Sequence, residues 1–201
     1  MISAFQRRVF NYLGIKPKRR ITEETVVTII DRKGRRKIWG MDSYVTNLQK
    51  KYPEITFNLV DFAKISLIEQ IKVATETDIL VGTIGAGMTH ILFLPQESSV
   101  AEFMPPNMVY MGFRNLAKMM GFTYFSAHGI TEEEWNLQHG ITSTKSEDDA
   151  EEKGWPWQTN EWVYTNEPAF FAMVEAAIHA QLVRGERMGD VVPSKLLEVA
   201  E

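Results

Sequence analysis

Asp78-Ile79-Leu80-Val81-Gly82-Thr83-Ile84-Gly85-Ala86-Gly87-Met88-Thr89-His90 decides how this chain of 201 residues folds. The apolar run from Ile79 to Val81 ends in glycine, which predicts a strand over 78–82 buried on both faces. A glycine turn follows, then a short apolar helix from about Met88 to Leu94 that Pro95 stops. Strand, glycine turn and helix in that order form the place where α/β sheets hold phosphates. Glycine lets the backbone approach a ligand closely, and free N–H groups of a first helical turn point at an anion.

Upstream, the β-branched run Thr25-Val26-Val27-Thr28-Ile29-Ile30 predicts a strand, closed by the charged turn Asp31 to Arg36. Asp42 or Ser43 reads as the N-cap of a helix through about Lys51, stopped by Pro53, and Thr56 to Val60 reads as the next strand. Ser66 with Glu69 makes a capping box, followed by an apolar stripe of Ile68, Ile71, Val73 and Ala74. Downstream come a strand over Ser99 to Phe103, a helix from Phe113 to Met120 ended by Gly121, and a strand over Thr123 to Ser126. Five strands alternating with helices predict an α/β fold, a doubly wound, Rossmann-like parallel sheet. A last helix begins at Pro168 and ends near Arg184 and Gly185.

Around this sheet the chain divides into three parts. Residues 1–20 read as a basic helix, with Ile2, Phe5, Val9 and Leu13 at helical spacing, and a linker at Pro17. Residues 21–185 form the sheet domain, whose acidic segment 129–166 is expected to be a loop packed by Trp135, Trp155, Trp157 and Trp162. Residues 186–201 read as a frayed tail.

Composition narrows the chemistry. A hydrophobic share of 44% with 24% charged residues is that of a globular domain, and no apolar run approaches the ~18 residues of a membrane span. Without cysteine there is no disulfide, thiolate zinc site, iron–sulfur cluster or cysteine nucleophile. The basic start, from Arg7 to Arg20, reads as a solvated segment, so no nucleic-acid partner is expected. His90, His128, His139 and His179 lack metal-binding spacing, and neither a Walker A sequence, a G-x-S-x-G elbow nor an Asp-x-Asp pair occurs. No catalytic base stands out, so the catalytic residues are unknown at this stage.

The candidate ligand residues converge on the carboxyl edge of the sheet. Gly85, Ala86, Gly87, Met88, Thr89 and His90 form the turn, with Thr89 and His90 as side-chain donors; Glu102, at the end of its strand, suits the hydroxyls of a ribose. Arg32, Lys33, Arg35 and Arg36 follow the first strand, and Arg32 and Arg36 are the favoured phosphate partners. Both features also have plain structural readings, a close strand–helix packing and a solvated turn. The dinucleotide fingerprint G-x-G-x-x-G is poorly matched, because His90 stands in the third glycine's place and the turn follows the third strand. That disfavours a third reading, an NAD-dependent oxidoreductase.

From about Phe5 to Ala180 the chain also resembles glycosyltransferase family 61, in the C-terminal half of its members and closest to the branch that attaches O-linked N-acetylglucosamine. Ile30-Asp31-Arg32-Lys33, Arg35-Arg36-Lys37-Ile38, Gly85-Ala86-Gly87-Met88-Thr89-His90, Leu92-Phe93-Leu94-Pro95, Glu102-Phe103 and Arg114-Asn115-Leu116-Ala117 carry the resemblance. It implies the nucleotide-sugar half of an inverting, two-domain GT-B transferase that uses a UDP-sugar and a protein or glycan acceptor. In that picture Arg32 and Arg36 meet the diphosphate, the turn cradles it and Glu102 meets the ribose. No covalent cofactor is implied, and the divalent metal requirement stays open. The family usually carries His where this chain has Ile84, and the acceptor-binding N-terminal domain with its signal anchor is expected to lie outside this chain. The alternative is therefore a noncatalytic nucleotide-sugar or partner-binding module. A home in the endoplasmic reticulum or Golgi lumen follows from the resemblance alone.

Overall fold

A computed structural model describes residues 2–17, 24–106, 108–141 and 162–187. The expected strands form because their residues can be buried on both sides. β1 (Val26–Ile30) buries four of its five residues, and β4 (Ile79–Thr83) and β5 (Ser99–Met104) bury every one. With β3 (Thr56–Val60) and β6 (Thr123–His128) at the edges they form one parallel sheet in the order β3-β1-β4-β5-β6. The chain steps outward from β1 to β3, crosses back over β1 to β4, and then continues outward through β5 to β6. The reversal leaves a crevice between the carboxyl ends of β1 and β4, the usual ligand position in open α/β sheets.

Helices cover both faces. On one, α2 (Met41–Lys51) and α6 (Glu167–Arg187) enclose a core that includes Val27, Ile29, Leu48, Val81, Phe103 and Phe170. Phe103 and Phe170 stack with ring centroids 5.2 Å apart. On the other, α3 (Leu67–Thr75), a 3₁₀ helix (Ala86–Phe93) and α4 (Gly112–Met120) enclose Ile30, Leu80, Met88, Ile91, Val100 and Ala117. α1 (Ile2–Leu13) lies against the 3₁₀ helix, with the rings of Phe5 and Phe10 at 6.4 and 6.0 Å from Phe93.

Several boundaries differ from the sequence expectation. α2 starts after Gly40, in left-handed backbone at φ 76°, and neither Asp42 nor Ser43 is its N-cap; Ser43 Oγ instead donates to the Gly40 carbonyl at 2.8 Å. Glycine is required at that point because a Cβ would lie 2.9 Å from the Tyr44 ring. The helix after the glycine turn starts two residues early and is 3₁₀, with Met88 N bonded to Gly85 O across three residues. Ser66 and Glu69 do form their capping box, but Ile68 stays 45% exposed because it lies on the first turn of α3, and the buried residues, Ile71, Ala74 and Thr75, begin one turn further on. β5 runs on to Met104, which places Glu102 inside the strand instead of at its end. α6 continues through Arg184 and Gly185 to Arg187, since a glycine ends a helix only where the chain leaves helical backbone.

The acidic segment is more regular than a loop. Thr131 and Glu134 make a second capping box that starts α5 (Glu132–His139), and Trp135 on that helix is buried. β7 (Trp162–Val163) pairs in parallel with β2 (Lys37–Ile38), forming a small second sheet beside the Arg32–Arg36 turn. Trp155 and Trp157, like the linker residues 18–20 and the tail 188–201, lie outside the described residues.

Candidate functional site

The turn after β1 and the turn after β4 meet at the crevice. Arg32 Nη1 donates to the Ile84 carbonyl at 3.0 Å, which brings its guanidinium across Gly85. A Cβ on Gly85 would sit 1.8 Å from that Nη1, so glycine is needed here to let a cation through. Arg36, in left-handed backbone at φ 61°, is half-buried, and its Nε is buried with no hydrogen-bond partner.

Electrostatics separate these two arginines from their neighbours. Burial lowers the pKa of both, and a nearby guanidinium lowers it further, Arg36 acting on Arg32 and Arg35 acting on Arg36. Lys33 has a different fate: it pairs with Asp31 at 2.6 Å, and that bond raises its pKa. Among the described residues no salt bridge is made by Arg32 or Arg36. Adjacent, partly desolvated cations without a facing carboxylate create a local demand for an anion.

The residues of the glycine turn divide by position. Gly85 is partly exposed and Ala86 exposed, so their backbone is open to a ligand. Gly87 is packed against β1, where a Cβ would meet Ile30 at 3.1 Å. Met88 is fully buried in the core, while Thr89 is exposed and its hydroxyl donates to the Ala86 carbonyl at 2.6 Å. His90 is buried, edge-on to Phe62 at 4.8 Å, with Nδ1 bonded to the Gly87 carbonyl at 3.0 Å and Nε2 unpartnered. Burial holds its pKa below the usual imidazole value. The structure thus brings Arg32, Gly85 and Ala86 together at the surface and sends Met88 and His90 inward.

Glu102 is wholly enclosed, opposite Gly82 and Ser126 in the sheet register. Its Oε2 accepts from the Tyr124 hydroxyl, its Oε1 has no partner, and burial pushes the carboxyl up to about 6 against the opposing effect of the Tyr124 bond. Ile84, in the place where the resemblance expects histidine, is buried against Met104, Met108 and Phe113. His128 bonds through Nε2 to the Met108 carbonyl at 2.7 Å, His139 stacks on Trp135 at 3.9 Å, and His179 is exposed on α6. No group of three potential metal ligands occurs among the described residues.

Sequence reasoning expected Trp135 and Trp162 to pack the acidic segment but missed their partners: Trp39 is in ring contact with Trp135, Trp162 and Tyr164, and Trp135 also with Tyr164. A signal was available, since Trp39 follows Arg36 by three residues and Thr131 and Glu134 have capping-box spacing.

The family profile described as Glycosyltransferase 61 matches residues 1–101. The chain belongs to glycosyltransferase family 61. Arg32, Arg36 and the whole Gly85–His90 turn lie within the matched span, and Glu102 falls one residue beyond it. Among relatives, the mouse (Mus musculus) EGF domain-specific O-linked N-acetylglucosamine transferase is 32% identical over 105 residues, which is 51% of this chain and 20% of that protein. The protein of the same description from Xenopus laevis is also 32% identical over 105 residues, 51% of this chain and 20% of its own length. The one from Drosophila melanogaster is 26% identical over 128 residues, 62% of this chain and 24% of its own. This family 61 chain therefore spans about a fifth of the length of the mouse and frog relatives.

Proposed function

We propose that this family 61 chain is the donor-binding half of an inverting GT-B glycosyltransferase. It takes a UDP-sugar, UDP-N-acetylglucosamine, for O-linked transfer to a protein or glycan hydroxyl. One observation carries the reading: Arg32 and Arg36 stand side by side, partly desolvated and without a carboxylate, where the strand order reverses. A diphosphate supplies the missing negative charge, at about 1.5–3 kcal/mol per charge-assisted hydrogen bond. The backbone of Gly85 to Gly87 flanks the phosphates and Thr89 adds a hydroxyl at the rim, while Glu102, wholly enclosed in β5 and bonded to Tyr124, is not open to the ribose that the resemblance assigns it. Transfer needs an acceptor cleft opposite this edge, supplied by an N-terminal domain or its equivalent. The EGF-domain specificity in the relatives' names supports a protein acceptor and a place in the endoplasmic reticulum or Golgi lumen. No helix among the described residues is long and apolar enough to cross a membrane.

Calorimetric titration of the purified chain with UDP, UDP-N-acetylglucosamine and NAD, each with and without Mn²⁺, tests the reading. Saturable UDP binding is expected, and Arg32→Ala is expected to weaken it by about 1.5–3 kcal/mol. Tight NAD binding with none of UDP would replace the reading with an oxidoreductase.

A second reading rests on Ile84, whose apolar burial removes the polar group expected beside the phosphates. It makes the chain a nucleotide-sugar binding module without turnover. Incubation with labelled donor separates the two, since binding with neither hydrolysis nor transfer favours the module. An Ile84→His variant that gains donor affinity or turnover would show that the family residue acts through the phosphate.

A further inference from the structure

Tyr110 stands in the loop between β5 and α4, on the same carboxyl edge of the sheet as the glycine turn. Its ring is 45% exposed yet has a fixed seat: it tilts against Phe113 with centroids 5.4 Å apart and lies over Gly112, where a Cβ would come within 2.6 Å of Tyr110 Cε1. Glycine at the first position of α4 thus makes room for the ring. The loop is anchored beneath by Met108, which is buried and whose carbonyl accepts from His128 Nε2 at 2.7 Å. A seated aromatic ring that remains partly open is a stacking surface.

A chain of contacts ties this surface to the crevice. Arg32 Nη1 donates to the Ile84 carbonyl, Ile84 packs in one buried cluster with Met104 and Met108, Phe113 packs against that cluster, and Tyr110 rests on Phe113. One apolar layer therefore separates the arginine from the ring, an interval that a nucleoside spans from its diphosphate. Glu102 is enclosed and bonded to Tyr124, so the nucleoside has no entry between β5 and β6 and lies above the sheet edge, over the loop that follows β5. The composition of that loop selects among the parts of the ligand. Met108-Val109-Tyr110-Met111-Gly112-Phe113 carries no charge and a single polar side-chain atom, the Tyr110 hydroxyl, with Val109 and Met111 exposed on either side of the ring. It offers nothing to a phosphate and little to the many hydroxyls of a sugar, whereas a flat, neutral base fits it.

We propose that Tyr110 is the stacking platform for the nucleobase of the donor. The inference rests on the UDP-sugar reading above. Titration of pyrophosphate, UDP and UDP-N-acetylglucosamine against the full chain, Tyr110→Ala, Tyr110→Leu and Tyr110→Phe tests it, with circular dichroism to establish folding; the leucine variant keeps apolar bulk on Gly112 should the alanine variant unfold. The alanine and leucine variants are expected to bind UDP and UDP-N-acetylglucosamine about tenfold more weakly, by the same factor for both, while Tyr110→Phe and the pyrophosphate affinity stay within about twofold of the parent chain. A loss confined to UDP-N-acetylglucosamine would overturn the inference in favour of sugar stacking, and an equal loss for pyrophosphate would make Tyr110 a support of the anion site instead. Unchanged UDP affinity in a folded alanine or leucine variant sinks the platform and leaves the donor reading standing. If the folded parent chain fails to bind UDP, the donor reading falls and the platform falls with it.

Discussion

Gly85 and Gly87 lie two residues apart and serve different ends. Adding a methyl group at Gly85 places a carbon 1.8 Å from Arg32 Nη1, so the guanidinium must swing away and give up its bond to the Ile84 carbonyl. Gly85→Ala is therefore expected to cost UDP affinity about as much as Arg32→Ala, tenfold or more by the ~1.5–3 kcal/mol of a charge-assisted bond, and, because the backbone there at φ 158° strains an alanine, about 1–3 kcal/mol of stability in urea unfolding as well. At Gly87 the added carbon meets Ile30 at 3.1 Å in the core. Gly87→Ala should cost stability, about 1–3 kcal/mol as overpacking does, visible in the same urea titration. Glu102 poses a pH question. Its carboxyl titrates near 6 in the folded chain, above the ordinary 4.5, so the native state holds its proton more tightly than the unfolded state does. Stability is then greatest below pH 4.5 and declines as pH rises through 6, by about 2 kcal/mol in all for this one group. Glu102→Gln cannot ionise, so it should be more stable than the parent chain by about that amount at pH 8, with the difference closing toward pH 4.5. Urea titrations at the two pH values check it, and a constant difference would mean that burial of the charge is not the cause.

The α5 helix connects capping chemistry to the aromatic cluster. Thr131 Oγ1 accepts from Glu134 N at 3.2 Å while Glu134 returns its carboxylate to Thr131 N at 2.8 Å, which fixes where the helix begins and hence where Trp135 packs. Thr131→Ala should cost about 1 kcal/mol in urea unfolding, the usual cost of a lost N-cap. The same element shows how much of the fold the sequence made legible. Strands β1, β3, β4, β5 and β6 were readable because apolar and β-branched runs bounded by glycine, proline and charge need no distant partner to be recognised. The exposed and buried faces of α3 were less so: Ile68 has the right spacing for the core stripe but is 45% exposed on the first turn, while burial begins at Ile71. β2 and β7 are two residues each and pair across more than a hundred positions, so no local pattern announces them. At the site, charge and glycine placement picked out Arg32, Arg36 and Gly85 as neighbours. They could not say that Met88 and His90 turn inward or that β5 continues past Glu102, because both depend on which side of the sheet a helix packs.

At the scale of the whole molecule, the crevice joins β1 and β4, strands with neighbours on both sides in a sheet with a core on each face. Opening the crevice therefore requires disrupting the centre of the fold instead of lifting an edge. A ligand held there stabilises the native chain against global unfolding, by about 2.7 kcal/mol when its concentration is 100 times its dissociation constant. For a chain of this size that corresponds to a rise in Tm of about 5–10 °C. Thermal unfolding with saturating UDP should show this rise as one cooperative transition. Arg32→Ala at the same UDP concentration should cut the rise by half or more, while its Tm without ligand stays close to that of the parent chain. Part of the UDP effect should also disappear at high salt, because the two arginines are only half-buried and mobile ions screen what solvent reaches. A ligand-induced rise that survives loss of Arg32 and is indifferent to salt would place the bound anion elsewhere on the molecule.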